Sequence, residues 1–158
     1  MPLGGGSTTE PKEVLSRQIK ILGHLVDKEG IHPDPDKIKA VSDFPVPACL
    51  TEVRSFLGFC SYYRRFVKNF ASMAAPLHDL LKKDKEFKWT DAQEISLRRL
   101  KKELMSEPVL GHFDENAPTQ IHTDASGYGI GTVLVQIQEA KERPIAYASR
   151  TLTGPEKN

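Results

Sequence analysis

The chain predicts an α+β fold: a β-hairpin and a helical segment, followed by an antiparallel sheet. Three observations point there. Residues 19–32 carry short strand-like runs around a loop that ends in Gly30. Residues 35–106 place apolar side chains at helical spacing behind capping residues. From Val109 onward that spacing gives way to β-branched runs separated by glycines. With 158 residues and 39% hydrophobic content, the chain can build a core in one ordinary domain or two small ones.

Residues 1–18 mix Gly, Ser, Thr, Pro and charges without an apolar period and read as a disordered arm. Residues 19–26 have strand character, Asp27-Lys-Glu-Gly30 is a loop, and Ile31-His32 resumes, which predicts a hairpin. Asp34 suits an N-cap with Pro35 at the first helical position, so a short helix runs to about Ser42 and is stopped by Pro45 and Pro47. Thr51 is expected to cap the next helix, in which Val53, Phe56, Leu57 and Cys60 recur at i, i+3, i+4 and i+7.

A helix over about 71–82, broken or restarted at Pro76, offers Leu77, Leu80 and Leu81 to the core. Thr90-Asp-Ala-Gln93 is a capping box that opens a helix ending near Ser106, with Leu97, Leu100 and Leu104 on its inner side. A weak strand at 109–113, a central hairpin and a strand at 143–152 then form the sheet, with helices on one side. Cys49 and Cys60, with no CxxC or Cys/His array, read as reduced, partly buried thiols. No run of 18 apolar residues occurs, and the N-terminus lacks the features of a signal peptide. No membrane segment and an intracellular site, cytoplasm or nucleus, are therefore expected.

The formal net charge of +1 conceals an asymmetry. Residues 50–105 carry +5 and residues 106–158 carry −3, the pattern of a phosphate-gripping segment beside a metal-binding one. Arg64, Arg65 and Lys68, interleaved with Tyr62, Tyr63, Phe66 and Phe70, and then Lys82 and Lys83, are the candidate nucleic-acid-binding residues. A bland reading competes, in which the aromatics fill the angle between two helices and the charges are solvated.

Residues 120–138 hold the one carboxylate placed for chemistry. Ile121 and Thr123 fall on one face of a strand, His122 and Asp124 on the other, and Ser126 to Gly131 make the turn. Gly127-Tyr-Gly-Ile-Gly superficially matches a phosphate-cradling loop. Such a loop must open a helix, whereas these glycines lead into Thr-Val-Leu-Val, a strand, so hairpin geometry and close backbone approach explain them better.

Ile121-His-Thr-Asp-Ala-Ser-Gly-Tyr-Gly-Ile-Gly, followed by Pro144-Ile-Ala-Tyr-Ala-Ser-Arg-Thr-Leu-Thr, resembles the start of the ribonuclease H domain in the Pol polyprotein of gypsy-type LTR retrotransposons. Ile21-Leu-Gly-His-Leu-Val, Gly30-Ile-His-Pro-Asp-Pro-Asp-Lys-Ile, Arg54-Ser-Phe-Leu-Gly-Phe-Cys-Ser-Tyr-Tyr-Arg-Arg-Phe, Ala74-Ala-Pro-Leu and Phe87-Lys-Trp-Thr are similar to the end of that family's reverse transcriptase. The resemblance implies a thumb-like or connection-like helical segment over residues 19–107 and the N-terminal part of a truncated ribonuclease H-like domain over 108–158. It makes Asp124 a catalytic carboxylate and Mg²⁺ ligand of the parent enzyme.

Two Mg²⁺ ions need several carboxylates. Glu139, Glu142 and Glu156 are not placed to face Asp124, and the chain has no Asp-Asp pair of the kind that holds the polymerising metals in a palm. The expectation is a fragment of an RNA-directed DNA polymerase/ribonuclease H that binds Mg²⁺ weakly, is inactive alone, and holds an RNA–DNA hybrid or duplex weakly and non-specifically. The alternatives are a domesticated nucleic-acid-binding module and a protein-interaction module that self-associates through its incomplete sheet.

Overall fold

The computed structural model describes residues 17–157, so the expected arm lies, except for Arg17 and Gln18, outside the described residues. Three short strands, β1 (Ile19–Ile21), β2 (His24–Val26) and β3 (Ile31–Pro33), form an antiparallel sheet in that order. The single strand expected over 19–26 is thus two. Leu22 and Gly23 have φ of 49° and 78°, which no strand can absorb, and their carbonyls accept the hydroxyls of Tyr62 and Tyr63.

Helix α1 (Pro35–Ser42) starts as its sequence predicts, with the Asp34 carboxylate accepting the Asp36 amide at 3.0 Å. Helix α2 (Leu50–Tyr62) is capped by Cys49 rather than Thr51. The Glu52 carboxylate accepts the Ala48 amide at 2.7 Å, which fixes the entry two residues earlier and leaves Thr51 inside the first turn. A 3₁₀ turn (Arg64–Phe66) leads to α3 (Phe70–Asp79), which contains Pro76 and ends before the expected Lys82. Helix α4 (Asp91–Met105) opens on the predicted box, with the Gln93 side-chain oxygen accepting the Thr90 amide at 2.8 Å.

Val53, Phe56, Leu57 and Cys60 from α2, Leu77 from α3, and Leu97, Leu100 and Leu104 from α4 meet in one core. Tyr63, Phe66 and Phe70 are buried in it, as the bland reading of the aromatics requires, while Tyr62 remains exposed. Cys60 is buried and Cys49 exposed.

The second sheet has the order β4 (Thr119–Ala125), β5 (Gly129–Gln138) and β6 (Lys141–Thr151), all antiparallel. Residues 109–113 do not form a strand of it. Leu110, buried in the helical core, exchanges backbone hydrogen bonds of 2.8 and 2.9 Å with Ile31, and the Gly111 amide donates to the Pro144 carbonyl of β6 at 2.9 Å, so this segment ties the helices to both sheets.

Strand β6 faces α3 and the 3₁₀ turn. Tyr147 packs against the helical core, the Ser149 hydroxyl accepts the Ala71 amide at 2.8 Å, and Arg64 donates to the Ser149 carbonyl at 2.7 Å. Gly129 and Gly131 let β5 approach the start of α3 closely. A Cβ on Gly129 would come within 2.7 Å of the Ser72 hydroxyl, and one on Gly131 would overlap Asn69. The glycine-rich stretch is therefore a packing seam.

Candidate nucleic-acid interface

Asp124 stands near the end of β4, paired across the sheet with Gly131, which in turn pairs with Ser149. It therefore lies on the sheet face that meets α3. All seven residues of β4 are exposed, Asp124 included. Two small hollows border the carboxylate. One, of about 190 Å³, is lined by Asn69, Ser72, Met73, Arg99, Ser126 and the glycines of β5. The other, of about 150 Å³, includes Lys68, His122, Val133 and Tyr147. Lys68 is among the cations that the sequence singles out, whereas Arg99 is not.

The other candidate cations separate. Arg64 and Lys82 line a cleft of about 910 Å³ between α3 and the end of β6, where Arg150 and Lys157 join them. Arg65 is exposed, with its guanidinium over the Phe66 ring, 5.3 Å from the centroid. Lys83 is exposed in the loop after α3 and lines neither the cleft nor the hollows. Arg64 is more than a solvated charge, because it bonds to Ser149 and sits 5.1 Å from the Phe70 ring centroid. Tyr128, 77% exposed, stands on the rim of the cleft. Ser72 and Ser126 belong to both the cleft and the first hollow, so the two are continuous.

Charges inside the cleft are partly paired. Lys82 meets Asp79 at 2.7 Å, and Arg150 holds Glu156 through two bonds of 2.8 Å. The Arg150 bonds, with the amide and hydroxyl of Thr153, hold the Glu156 carboxyl down at about 2. His78 is pushed below its ordinary value, first by burial and then by the Arg64 guanidinium, which favours a neutral imidazole at pH 7. Four permanent cations thus line the cleft, of which Lys82 and Arg150 are paired, to Asp79 and Glu156.

The residues described do not fit a pair of divalent ions at Asp124. Such a pair needs several convergent carboxylates, and this carboxylate is flanked by Lys68 and Arg99 instead. Glu156 is committed to Arg150 and Thr153. Among the described residues, three metal-type side chains converge at Asp27, Glu29 and His32, far along the chain. There the Asp27 carboxylate is already satisfied by the amides of Glu29 and Gly30 and by His32 and Gln18. No helix among the described residues is long and apolar enough to cross a membrane.

Comparison with known proteins accounts for this arrangement. Residues 89–158 match the family model described as the RNase H-like domain found in reverse transcriptase. The chain is 39% identical over 161 aligned residues to the retrovirus-related Pol polyprotein from transposon gypsy of Drosophila melanogaster. That alignment takes in 94% of this chain but only 15% of the polyprotein. The fold is similar to the foamy viral protease-reverse transcriptase in complex with dsDNA, with a TM-score of 0.76, 25% identity, and coverage of 89% of this chain and 29% of that one. The same foamy viral enzyme in complex with an RNA/DNA hybrid gives a TM-score of 0.75 at 25% identity, over 89% of this chain and 19% of that one. Reverse transcriptases of this kind typically use a divalent metal. Over residues 89–158, Asp124 at the end of β4 included, the chain is therefore similar to the RNase H-like domain found in reverse transcriptase, and over nearly its whole length it is similar to part of retrotransposon Pol polyproteins.

Proposed function

We propose that these residues are a duplex-holding part of a retrotransposon RNA-directed DNA polymerase/ribonuclease H, gripping an RNA–DNA hybrid or duplex weakly and without reading sequence. Residues 19–107 act as the thumb-like or connection-like half and 108–158 as the ribonuclease H-like half. The observation that carries this reading is the position of basic side chains from the helical half beside Asp124 and along the adjoining cleft. The foamy viral complexes with dsDNA and with RNA/DNA hybrid support it.

Asp124 is the one family carboxylate present, so these residues alone hold the duplex without cutting it, and Mg²⁺ binds them loosely. The contacts go to the backbone, which carries no base information. The dissociation constant is then on the order of 10⁻⁴ to 10⁻⁶ M at physiological salt. Fluorescence anisotropy with a labelled hybrid at several salt concentrations tests this. If about three or four phosphates are neutralised, log affinity falls against log salt with a slope near −3. A flat salt dependence would contradict the proposal.

A second reading, self-association, has one observation in its favour. Strand β4 is a fully exposed sheet edge on which Ile121 is 67% exposed. A melting temperature that rises with protein concentration would support it.

A further inference from the structure

The turn between β2 and β3, residues 27–30, has no part in the proposed duplex site, yet it gathers side chains that transition metals prefer. One donor atom each from Asp27, Glu29 and His32 lie within 4.8 Å of one another. The hairpin brings them together: the turn closes with the Asp27 amide donating to the Gly30 carbonyl at 3.1 Å, and β3 then returns His32 beside Asp27. The imidazole sets this group apart from exposed carboxylates that merely lie near each other, since nitrogen donors suit Zn²⁺ and its neighbours, whereas Mg²⁺ and Ca²⁺ favour oxygen.

Two of the three donors are held in place. The Asp27 and His32 side chains are 13% and 18% exposed, with His32 Nε2 lying 3.0 Å from Asp27 Oδ1. The Glu29 and Gly30 amides donate to the same oxygen at 2.9 and 3.2 Å, and the Gln18 side chain donates to the other at 3.3 Å. Such bonds from N–H groups orient a ligating carboxylate, as the outer shell of a metal site does. The His32 contact is the one an ion would replace. Zn²⁺ bonds of about 2.0–2.1 Å in a tetrahedral arrangement put neighbouring ligand atoms about 3.3 Å apart, so the pair need open by only about 0.3 Å. Glu29 is free to complete the set, because its exposed carboxylate has no hydrogen bond or ion pair among the described residues. Glu29 and His112, both exposed, also line a hollow of about 410 Å³ beside the turn, through which an ion and its water can enter.

We propose that Asp27, Glu29 and His32 bind a single first-row transition ion of the Zn²⁺ class, with water in the fourth position. The ion would act as a clamp. The same turn accepts the His112 ring at the Asp27 carbonyl, 2.6 Å away, and Arg143 of β6 at the Glu29 carbonyl, so stiffening it stiffens the joint between the first sheet and the second. This site is separate from Asp124 and does not rest on duplex binding.

The test titrates the whole chain, stripped with EDTA and dialysed, with Co²⁺ and then Zn²⁺. Co²⁺ should develop a visible d–d absorption that saturates at a single equivalent and is lost when Zn²⁺ displaces it. Zn²⁺ should raise the melting temperature, and Mg²⁺ at the same concentration should not. His32→Gln and Glu29→Gln should each weaken Zn²⁺ binding by at least about tenfold, whereas His122→Gln, on β4, should leave it unchanged. Melting is read as the difference between Zn²⁺ and EDTA, so a variant that is only less stable does not imitate a lost ligand. Glu29→Gln keeps the backbone bonds that shape the turn. A wild-type chain with no saturable Co²⁺ spectrum would overturn the site. So would Zn²⁺ binding unchanged in both variants, or equal stabilisation by Mg²⁺, which would mean that carboxylate charge alone attracts the ion.

Discussion

At the scale of the residue, the glycines separate into three kinds. Gly30 has φ of 150°, and a Cβ there would overlap the backbone carbonyl oxygen of Leu110, which cannot move without breaking the Ile31–Leu110 bridge. Gly127 meets nothing within 4 Å. Gly30→Ala is therefore expected to destabilise by at least about 1–3 kcal/mol and Gly127→Ala to stay within about 0.5 kcal/mol, measured by urea unfolding. Equal effects would show that the loop at Gly30 relaxes. The sequence indicated close backbone approach for the glycines around Tyr128, but not that the approaching groups are Ser72 and Asn69, because contacts so distant in the chain leave no local pattern.

His78 gives a residue-scale prediction with a definite sign. Its folded pKa lies below the ordinary 6.5, so the unfolded chain takes up the proton first. Its contribution to stability is complete above about 6.5 and is lost as pH falls from there through the lowered folded value. Wild-type protein should lose more melting temperature between pH 7.5 and 5.5 than His78→Gln does. A larger loss in the variant would contradict the lowered folded pKa of His78.

At the scale of the element, the four helices hold most of the buried apolar side chains, while Val135 is the buried hydrophobic residue of the second sheet. Hydrogen exchange should accordingly be slower at the amides of Leu57 and Leu100 than at Val133 and Leu134, since three strands with one exposed edge bury little area. The reverse order would show that the sheet is the stable unit. Helix α4 was legible in full because capping box, apolar period and length agree. Residues 109–113 were misread because a short apolar run looks the same whether it pairs within a sheet or bridges to Ile31. The break at Leu22 was hidden for a related reason. Leucine at positive φ is rare, and what holds it there, the hydroxyl of Tyr62, lies 40 residues away.

At the scale of the whole molecule, the charge asymmetry of residues 50–105 was visible in the sequence, but its placement was not. The sequence grouped Arg64 with Arg65 as neighbours. The fold turns Arg64 onto Ser149 and leaves Arg65 over Phe66, and it recruits Arg150 and Lys157 from a segment whose net charge is −3. Strand register decides this, and composition cannot report it. The place of Asp124 near the end of a strand was legible because its motif is local, whereas the bonds that commit Glu156 to Arg150 were not.

The central claim is that these residues hold a duplex without cutting it. One measurement addresses both halves of that claim: a labelled RNA–DNA hybrid incubated with the purified chain in Mg²⁺, with bound fraction and strand length read from the same samples. The account predicts salt-sensitive binding, full-length RNA throughout, and no change in strand length on Asp124→Asn. Shortened RNA that disappears in the Asp124→Asn variant would contradict it, because a single carboxylate beside Lys68 and Arg99 would then be supporting two-metal chemistry.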